Sequence, residues 1–472
     1  MSLYPHVLEP GAGEMRRMVD LAMEQIVAHI LSLPNQPAAN TEGAVELARS
    51  LVEPLPERGE GYETLLHRLF DEWIPKSFNT AGPGYLAYIP GGGIFHSALA
   101  DLIASAVNRY VGVFAAAPAL AQLEANVIRW FNEIVGYPRE AGGILTSGGS
   151  LANFSAIVAA RRDRLPDEFL GGTIYAGDQV HHSVEKAAML AGFPPQSIRR
   201  VGSDETLRVR PSEMREAIHR DRAGGRTPFL IVASAGTTNT GAIDDLETLA
   251  DLAREENVWL HVDAAYGGFF MLTDRGRERM RGLGRADSIT LDPHKGLFVP
   301  YGTGSLLVRE GQTLRRAHSV SADYMPPMQD PAELVDFCEL SPELSRNFRG
   351  LRVWLPIRMM GIAPFRDALD EKLDLAVLAA EELQKINGIE ITAKPQLSTL
   401  AFHLVREGLD VEETNRLNRH LLDRINARKR VYLTSTMLGE RFVIRISILS
   451  FRTHRDRIEM AIEDIRAAID EV

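Results

Sequence analysis

Two periods of apolar residues divide the chain. From residue 143 onward, short apolar runs rich in β-branched residues at 143–145, 172–175, 229–233, 259–262, 288–291 and 305–308 predict buried strands. Stretches of helical spacing, such as 151–164 and 246–256, lie between several of them. Such alternation predicts an α/β fold with a mostly parallel central sheet covered by helices. Beyond residue 364 the pattern changes to a helix at 364–386, β-like stretches at 388–391 and 399–405, a helix at 411–428, a strand at 442–447 and a last helix at 455–469. That order predicts a smaller α+β C-terminal domain.

Upstream, Met18, Leu21, Ile26, Ile30 and Leu33 recur at helical intervals until Pro34 stops the pattern. This amphipathic helix either packs on its own domain or clasps a partner, since periodicity reports a buried face without naming its neighbour. Residues 35–60, with several prolines and glycines, read as a connector. The loop from Gly82 to Gly93 carries Tyr85, Tyr88 and Ile89 among its glycines and serves either as structural turns or as a pocket lining. Over 120–134 a further helix places Leu123, Val127, Ile128 and Phe131 on one face, with Glu124 and Glu133 expected to face water. The expected division is an N-terminal helical segment (1–90), a large α/β domain (91–365) and a small C-terminal domain (366–472).

At 472 residues, more than one core is expected. A net charge of −11, from 52 basic and 63 acidic residues, argues against nucleic acid or an anionic membrane as the main partner and favours small molecules. The single cysteine, Cys338, allows neither an intrachain disulfide nor a thiolate metal cluster, which suits a reducing compartment. No signal-like N-terminus and no apolar run near the ~18 residues of a membrane span are present. A soluble, cytoplasmic protein is expected.

The candidate chemistry sits at the ends of the predicted strands, where open α/β sheets bind ligands. The run Ser288-Ile289-Thr290-Leu291 leads into Asp292-Pro293-His294-Lys295-Gly296. A lysine delivered to such a site can act as a nucleophile or carry a Schiff base. Trp259-Leu260-His261-Val262 ends in Asp263-Ala264-Ala265, a carboxylate followed by small residues, which suits a fixed negative charge beneath a flat ring. If Asp263 faced a pyridine nitrogen, it would keep that nitrogen protonated as an electron sink. The two lie about one strand-helix-strand unit apart (~30 residues), so they can end neighbouring strands. Thr146-Ser147-Gly148-Gly149-Ser150 joins a strand to a helix and suits a phosphate, though neither dinucleotide nor P-loop spacing is present. His181 and His182 follow the strand at 172–175, where a flat imidazole suits stacking better than metal ligation. Ala235-Gly236-Thr237-Thr238 brings small hydroxyl donors to the same rim.

Taken together, the motifs between about Tyr85 and Ile469 resemble the group II pyridoxal-phosphate-dependent amino-acid decarboxylases, which include the aromatic amino-acid, glutamate and histidine enzymes. The resemblance implies a fold-type-I homodimer with active sites at the interface and an N-terminal segment wrapped around the partner. It implies pyridoxal 5'-phosphate as cofactor, Lys295 as the Schiff-base lysine, Asp263 as partner of the pyridinium nitrogen, Ala265 beneath the ring and His181 stacked on it. Gly149, Ser150 and His294 would hold the phosphate, and Thr237 or Thr238 would lie near the ring substituents. No metal is implied. Tyr88, Ile89, Val113 and Phe114 would lie near the substrate and favour an apolar or aromatic side chain, giving the amine and CO2.

Two departures from the family pattern stand out. Family members commonly carry Trp after the lysine, where this chain has Gly296. Anchoring on Phe348-Arg349-Gly350-Leu351-Arg352-Val353-Trp354 brings Phe337 opposite the loop tyrosine that, in aromatic decarboxylases, protonates the carbanion. Related enzymes with Phe there divert the intermediate to oxygen-dependent aldehyde formation, so aldehyde synthesis is the alternative outcome. Tyr324 on the same presumed loop, or His181, is the substitute proton donor, and under that reading Phe337 is loop packing.

Overall fold

The computed structural model describes residues 8–319 and 334–472. Seven strands form the central sheet: β1 (Gly142–Thr146), β2 (Gly172–Gly177), β3 (Ile198–Val201), β4 (Thr227–Ser234), β5 (Trp259–Asp263), β6 (Ser288–Leu291) and β7 (Gly304–Val308). Their order is β1-β7-β6-β5-β4-β2-β3. Pairs from β6 through β3 are parallel, whereas β7 runs antiparallel to both β6 and β1. The link from β6 to β7 holds one helical turn, Pro293–Gly296, too little for the crossover that a parallel neighbour requires. The sheet is therefore mostly parallel with one reversed strand, and the C-terminal ends of β1, β2, β4, β5 and β6 open on one rim.

Alternate strand residues feed two cores. Ile231, Leu260, Val262 and Leu307 pack into one, and Leu230, Val232, Leu306 and Val308 into the other, so helices cover both faces. The Pro118–Val135 helix, with Val127, Ile128 and Phe131, belongs to the first. The Gly149–Arg164 helix, with Ala152, Ala156 and Ile157, belongs to the second. This helix exposes alanines to the sheet, which lets it lie close to the rim.

A second, fully antiparallel sheet joins β8 (Ile389–Ala393), β9 (Thr399–Leu404), β10 (Thr434–Leu438) and β11 (Arg441–Ser447) in the order β10-β11-β9-β8. The glycine-rich loop docks against it: Leu86 N donates to Tyr432 O (3.1 Å) and Ser447 N donates to Leu86 O (2.9 Å). At its other end a Cβ on Gly91 would fall 2.0 Å from His294 O, so only glycine allows the loop this close to the lysine-bearing turn.

The first helix runs over Ala12–Ser32, and none of its residues is buried within one chain. Glu124, expected to face water, is fully buried. It forms an ion pair with Arg346 (2.6 Å) and accepts from Gly350 N (2.9 Å). A charge more than two hundred positions downstream pulls it inward, a contact no local periodicity reports. Among the described residues no helix is long and apolar enough to cross a membrane.

Candidate active site

The strand ends enclose a cavity of about 290 Å³. Gly149, Ser150, His181, Thr237, Thr238, Asp263, Ala265, His294 and Lys295, all expected there from sequence, line it. Register explains part of the convergence, because Asp263 is aligned with Ser234 on β4 and with Thr290 on β6.

Asp263 is 8% exposed; its Oδ2 accepts from Asn153 Nδ2 (2.8 Å) and its Oδ1 from Ala265 N (3.1 Å). A carboxylate offers about four acceptor positions. Two are used, and the rest are available to a ligand with a protonated nitrogen. Lys295 stands on the one-turn helix after β6, with Nζ 3.0 Å from Oδ2 of the buried Asp292. His294 Nδ1 donates to Thr303 O (2.6 Å), and its Nε2 lies 3.6 Å from Asp292. Burial, ahead of the opposing effect of Asp292, lowers the His294 pKa.

His181 caps the His182–Leu190 helix, with Nδ1 2.8 Å from Ser183 Oγ and 3.3 Å from Ser183 N. Because that N–H can only donate, Nδ1 is the acceptor and the proton of the neutral ring sits on Nε2. Burial lowers the His181 pKa, and Asp263 opposes the shift. Thr237 Oγ1 lies 2.7 Å from Thr240 Oγ1. The turn is held from the small sheet by Arg445, which donates to Asn239 O (2.9 Å) and to Thr238 O. Burial brings the Arg445 pKa down to about 10.

The fit to pyridoxal phosphate is chemical and steric. An acceptor-only carboxylate stands at one wall and an amine at another. The first turn of a sixteen-residue helix offers N–H groups without intrahelical partners. A Cβ on Gly149 would lie 3.0 Å from Asp292 Oδ2 and 3.2 Å from Ala265 Cβ, so a side chain there would fill the cradle.

Other expected positions fall elsewhere. Tyr88 is 55% exposed with φ 51°, Ile89 is buried in the large core, and Phe114 is half-buried; none lines this cavity within one chain. Tyr324 lies outside the described residues. Phe337 is 1% exposed in the second core, with the Arg346 guanidinium 4.9 Å from its ring centroid, and is packing rather than part of this cavity. The space at Gly296 is taken by Phe269, whose Cβ would be 2.7 Å from an added Cβ. Sequence reading missed Asn153, Ser183 and Asp292. Asp292 stood in plain view beside the histidine and lysine, and Asn153 lies one helical turn beyond Gly149.

Residues 46–405 match the family model described as the pyridoxal-dependent decarboxylase conserved domain. The aromatic-L-amino-acid decarboxylase of Bacillus atrophaeus is 35% identical over 467 residues, covering 98% of this chain and 97% of its own. That of Cavia porcellus is 29% identical, covering 87% of this chain and 88% of its own. The structure of Oryza sativa TDC with PLP and tryptamine has a TM-score of 0.93 at 25% identity over 99% of both chains. Rhodiola rosea 4-hydroxyphenylacetaldehyde synthase has a TM-score of 0.90 at 24% identity over 98% of this chain and 99% of its own, a likeness of fold. With a family model matched over most of its length and a relative this similar from end to end, the chain belongs to the group II pyridoxal-phosphate-dependent amino-acid decarboxylases.

Proposed function

We propose that the enzyme converts an aromatic L-amino acid to its amine and CO2. The observation that carries this is the pairing of Asp263 and Lys295 at the ends of adjacent strands, with no arginine among the described lining residues. An acidic substrate side chain would call for such a cation, whereas an aromatic one calls for apolar and aromatic surface. Tyr88 and Tyr432 supply such surface beside the glycine-rich loop, backed by the buried Tyr85, whose ring stacks 5.9 Å from that of Tyr432. The relatives named as aromatic-L-amino-acid decarboxylases support the same reading.

Bound pyridoxal phosphate supplies the sink for the electron pair left when the Cα–carboxylate bond breaks. Lys295 would hold the cofactor through its amine until substrate takes its place. Asp263 keeps the ring nitrogen protonated, which a neutral neighbour would not do. Ala265 leaves room under the ring and His181 covers its other face. Gly149, Ser150 and His294 bind the phosphate, and Thr237 and Thr238 serve the ring substituents. Tyr324 or His181 would supply the proton that Cα takes up.

Tyr88 and Phe114 form the substrate wall, with Phe114 contributing across the interface of a homodimer and Ile89 backing it from the large core. Exposure of Met15, Val19, Val27 and Leu31 supports the N-terminal segment (1–90) as a clasp on the second copy. Residues 91–365 are the cofactor-binding domain and 366–472 the small domain, in a cytoplasmic enzyme. Burial of Phe337 favours the amine over the oxygen-dependent aldehyde. Holoenzyme assayed on aromatic amino acids for CO2, amine, aldehyde and peroxide tests this: amine matching CO2 supports it, and aldehyde with peroxide and ammonia replaces it by the oxidative reaction.

A further inference from the structure

Beneath the cavity runs a buried hydrogen-bond chain in which the donors and acceptors settle one another. Asp263 only accepts, so the atom of the Asn153 amide facing it at 2.8 Å is nitrogen. The same NH2 group then donates to Ser183 Oγ at 3.0 Å. Asn153 Oδ1 accepts from Thr290 Oγ1 at 2.7 Å and lies 3.1 Å from His261 Nε2. His261 therefore carries its proton on Nε2, and its Nδ1, 2.8 Å from Ser288 Oγ, accepts. Ser288 has a proton to give, because its oxygen already accepts from the donor-only Trp259 Nε1 at 2.8 Å. Burial lowers the His261 pKa and keeps the ring neutral, as the pattern requires.

The other branch is equally constrained. Ser183 Oγ accepts from Asn153 and so turns its own proton toward His181 Nδ1, 2.8 Å away. His181 is left with its proton on Nε2. Asn153, Ser183, His261, Ser288 and Thr290 are each at most 3% exposed, so water offers little competition for these bonds.

We propose that Asn153 is a positioning residue, one amide that fixes the carboxylate of Asp263 and, through Ser183 Oγ, braces the His181 ring that the Ser183 backbone N–H already holds in its Nε2–H form. It stands on the Gly149–Arg164 helix, whose first turn faces the anion cradle. A single helix thereby sets three parts of the site. The inference rests on the roles given above to Asp263 and His181, and its consequences divide by branch. Asn153→Ala removes both contacts. Asn153→Asp keeps the shape but presents an oxygen where Asp263 and Ser183 each need a donor. Ser183→Ala cuts only the path to His181.

The test uses full-length protein labelled with 15N-histidine, with and without pyridoxal phosphate. The tautomer of His181, assigned by signal loss in His181→Asn, is read by two-bond 15N–1H correlation, and the cofactor dissociation constant by fluorescence titration. Native protein and all three variants should show Nε2–H, because the Ser183 backbone N–H persists in each. Asn153→Ala and Asn153→Asp should weaken cofactor binding about tenfold or more, as loss of a hydrogen bond to a charged group implies. Ser183→Ala should leave cofactor affinity within about twofold.

An unchanged cofactor affinity in Asn153→Ala would overturn the proposal. Should that variant fail to fold, an unchanged affinity in Asn153→Asp overturns it instead. Full turnover in folded Asp263→Asn and His181→Asn would sink the functional reading, whereas loss of turnover there with an unmoved Asn153→Ala sinks only this inference.

Discussion

The floor of the cavity and the exposed N-terminal part of the chain are built on opposite terms. At the floor, Asp263, Asn153, His261 and Thr290 are at most 8% exposed, and their polar atoms meet partners within one chain. In the N-terminal part, Tyr88 is 55% exposed in a left-handed backbone conformation, and the helix over Ala12–Ser32 buries none of its residues. A side chain held by several buried bonds keeps its geometry whatever binds above it, which is what a group facing a fixed ring atom needs. Tyrosine in left-handed backbone is uncommon and costs energy. The polar groups that face the cavity thus find their partners within the chain, whereas Tyr88 and the first helix's Met15, Val19, Val27 and Leu31 stay exposed.

Breaking the floor should do the most damage. Lys295→Ala should abolish the visible band of the covalently bound cofactor and reduce turnover by roughly three orders of magnitude or more. Retention of both would remove the lysine from the reaction. Next comes the Glu124–Arg346 pair, which ties the Pro118–Val135 helix to the segment entering the Arg349–Met360 helix. Glu124→Ala leaves a buried guanidinium unpaired, so denaturant unfolding should show a loss of about 3–5 kcal/mol. A loss below about 1 kcal/mol would mean that water reaches Arg346 after all.

The same contrast governs what could be read from sequence. Strands β4, β5 and β6 announce themselves as apolar runs because both of their faces are buried, and the residues ending them fell into the cavity as the spacing required. Strands β3 and β10 went unread. Both lie at sheet edges, and Ile198-Arg199-Arg200-Val201 and Thr434-Ser435-Thr436-Met437-Leu438 carry the polar residues that edges tolerate. The inward turn of Glu124 depends on Arg346, and the burial of Phe337 on a core assembled from distant segments. Asn153 was illegible for a related reason: its importance comes from four partners on three other elements, and its own neighbourhood is an ordinary alanine-rich helix.

In the N-terminal part, Val19→Glu combined with Leu31→Glu places charges on the exposed face of the first helix. If that face meets a second copy, sedimentation should show dimer association weakened by about tenfold or more, with loss of turnover following the dimer fraction. An unchanged dimer constant would return the helix to its own chain. The smallest effect expected is at His181, which lines the cavity. Burial disfavours its charged form more than Asp263 favours it, so its folded pKa lies below the unfolded value of about 6.5. The neutral ring then contributes stability that is present above about pH 6.5 and is lost as pH falls toward the folded pKa. NMR titration of the cofactor-free protein should place the His181 midpoint below 6.5. A midpoint above that value would mean that Asp263 outweighs burial, and that the ring over the cofactor site is an imidazolium whose two donors would contradict an accepting Nδ1.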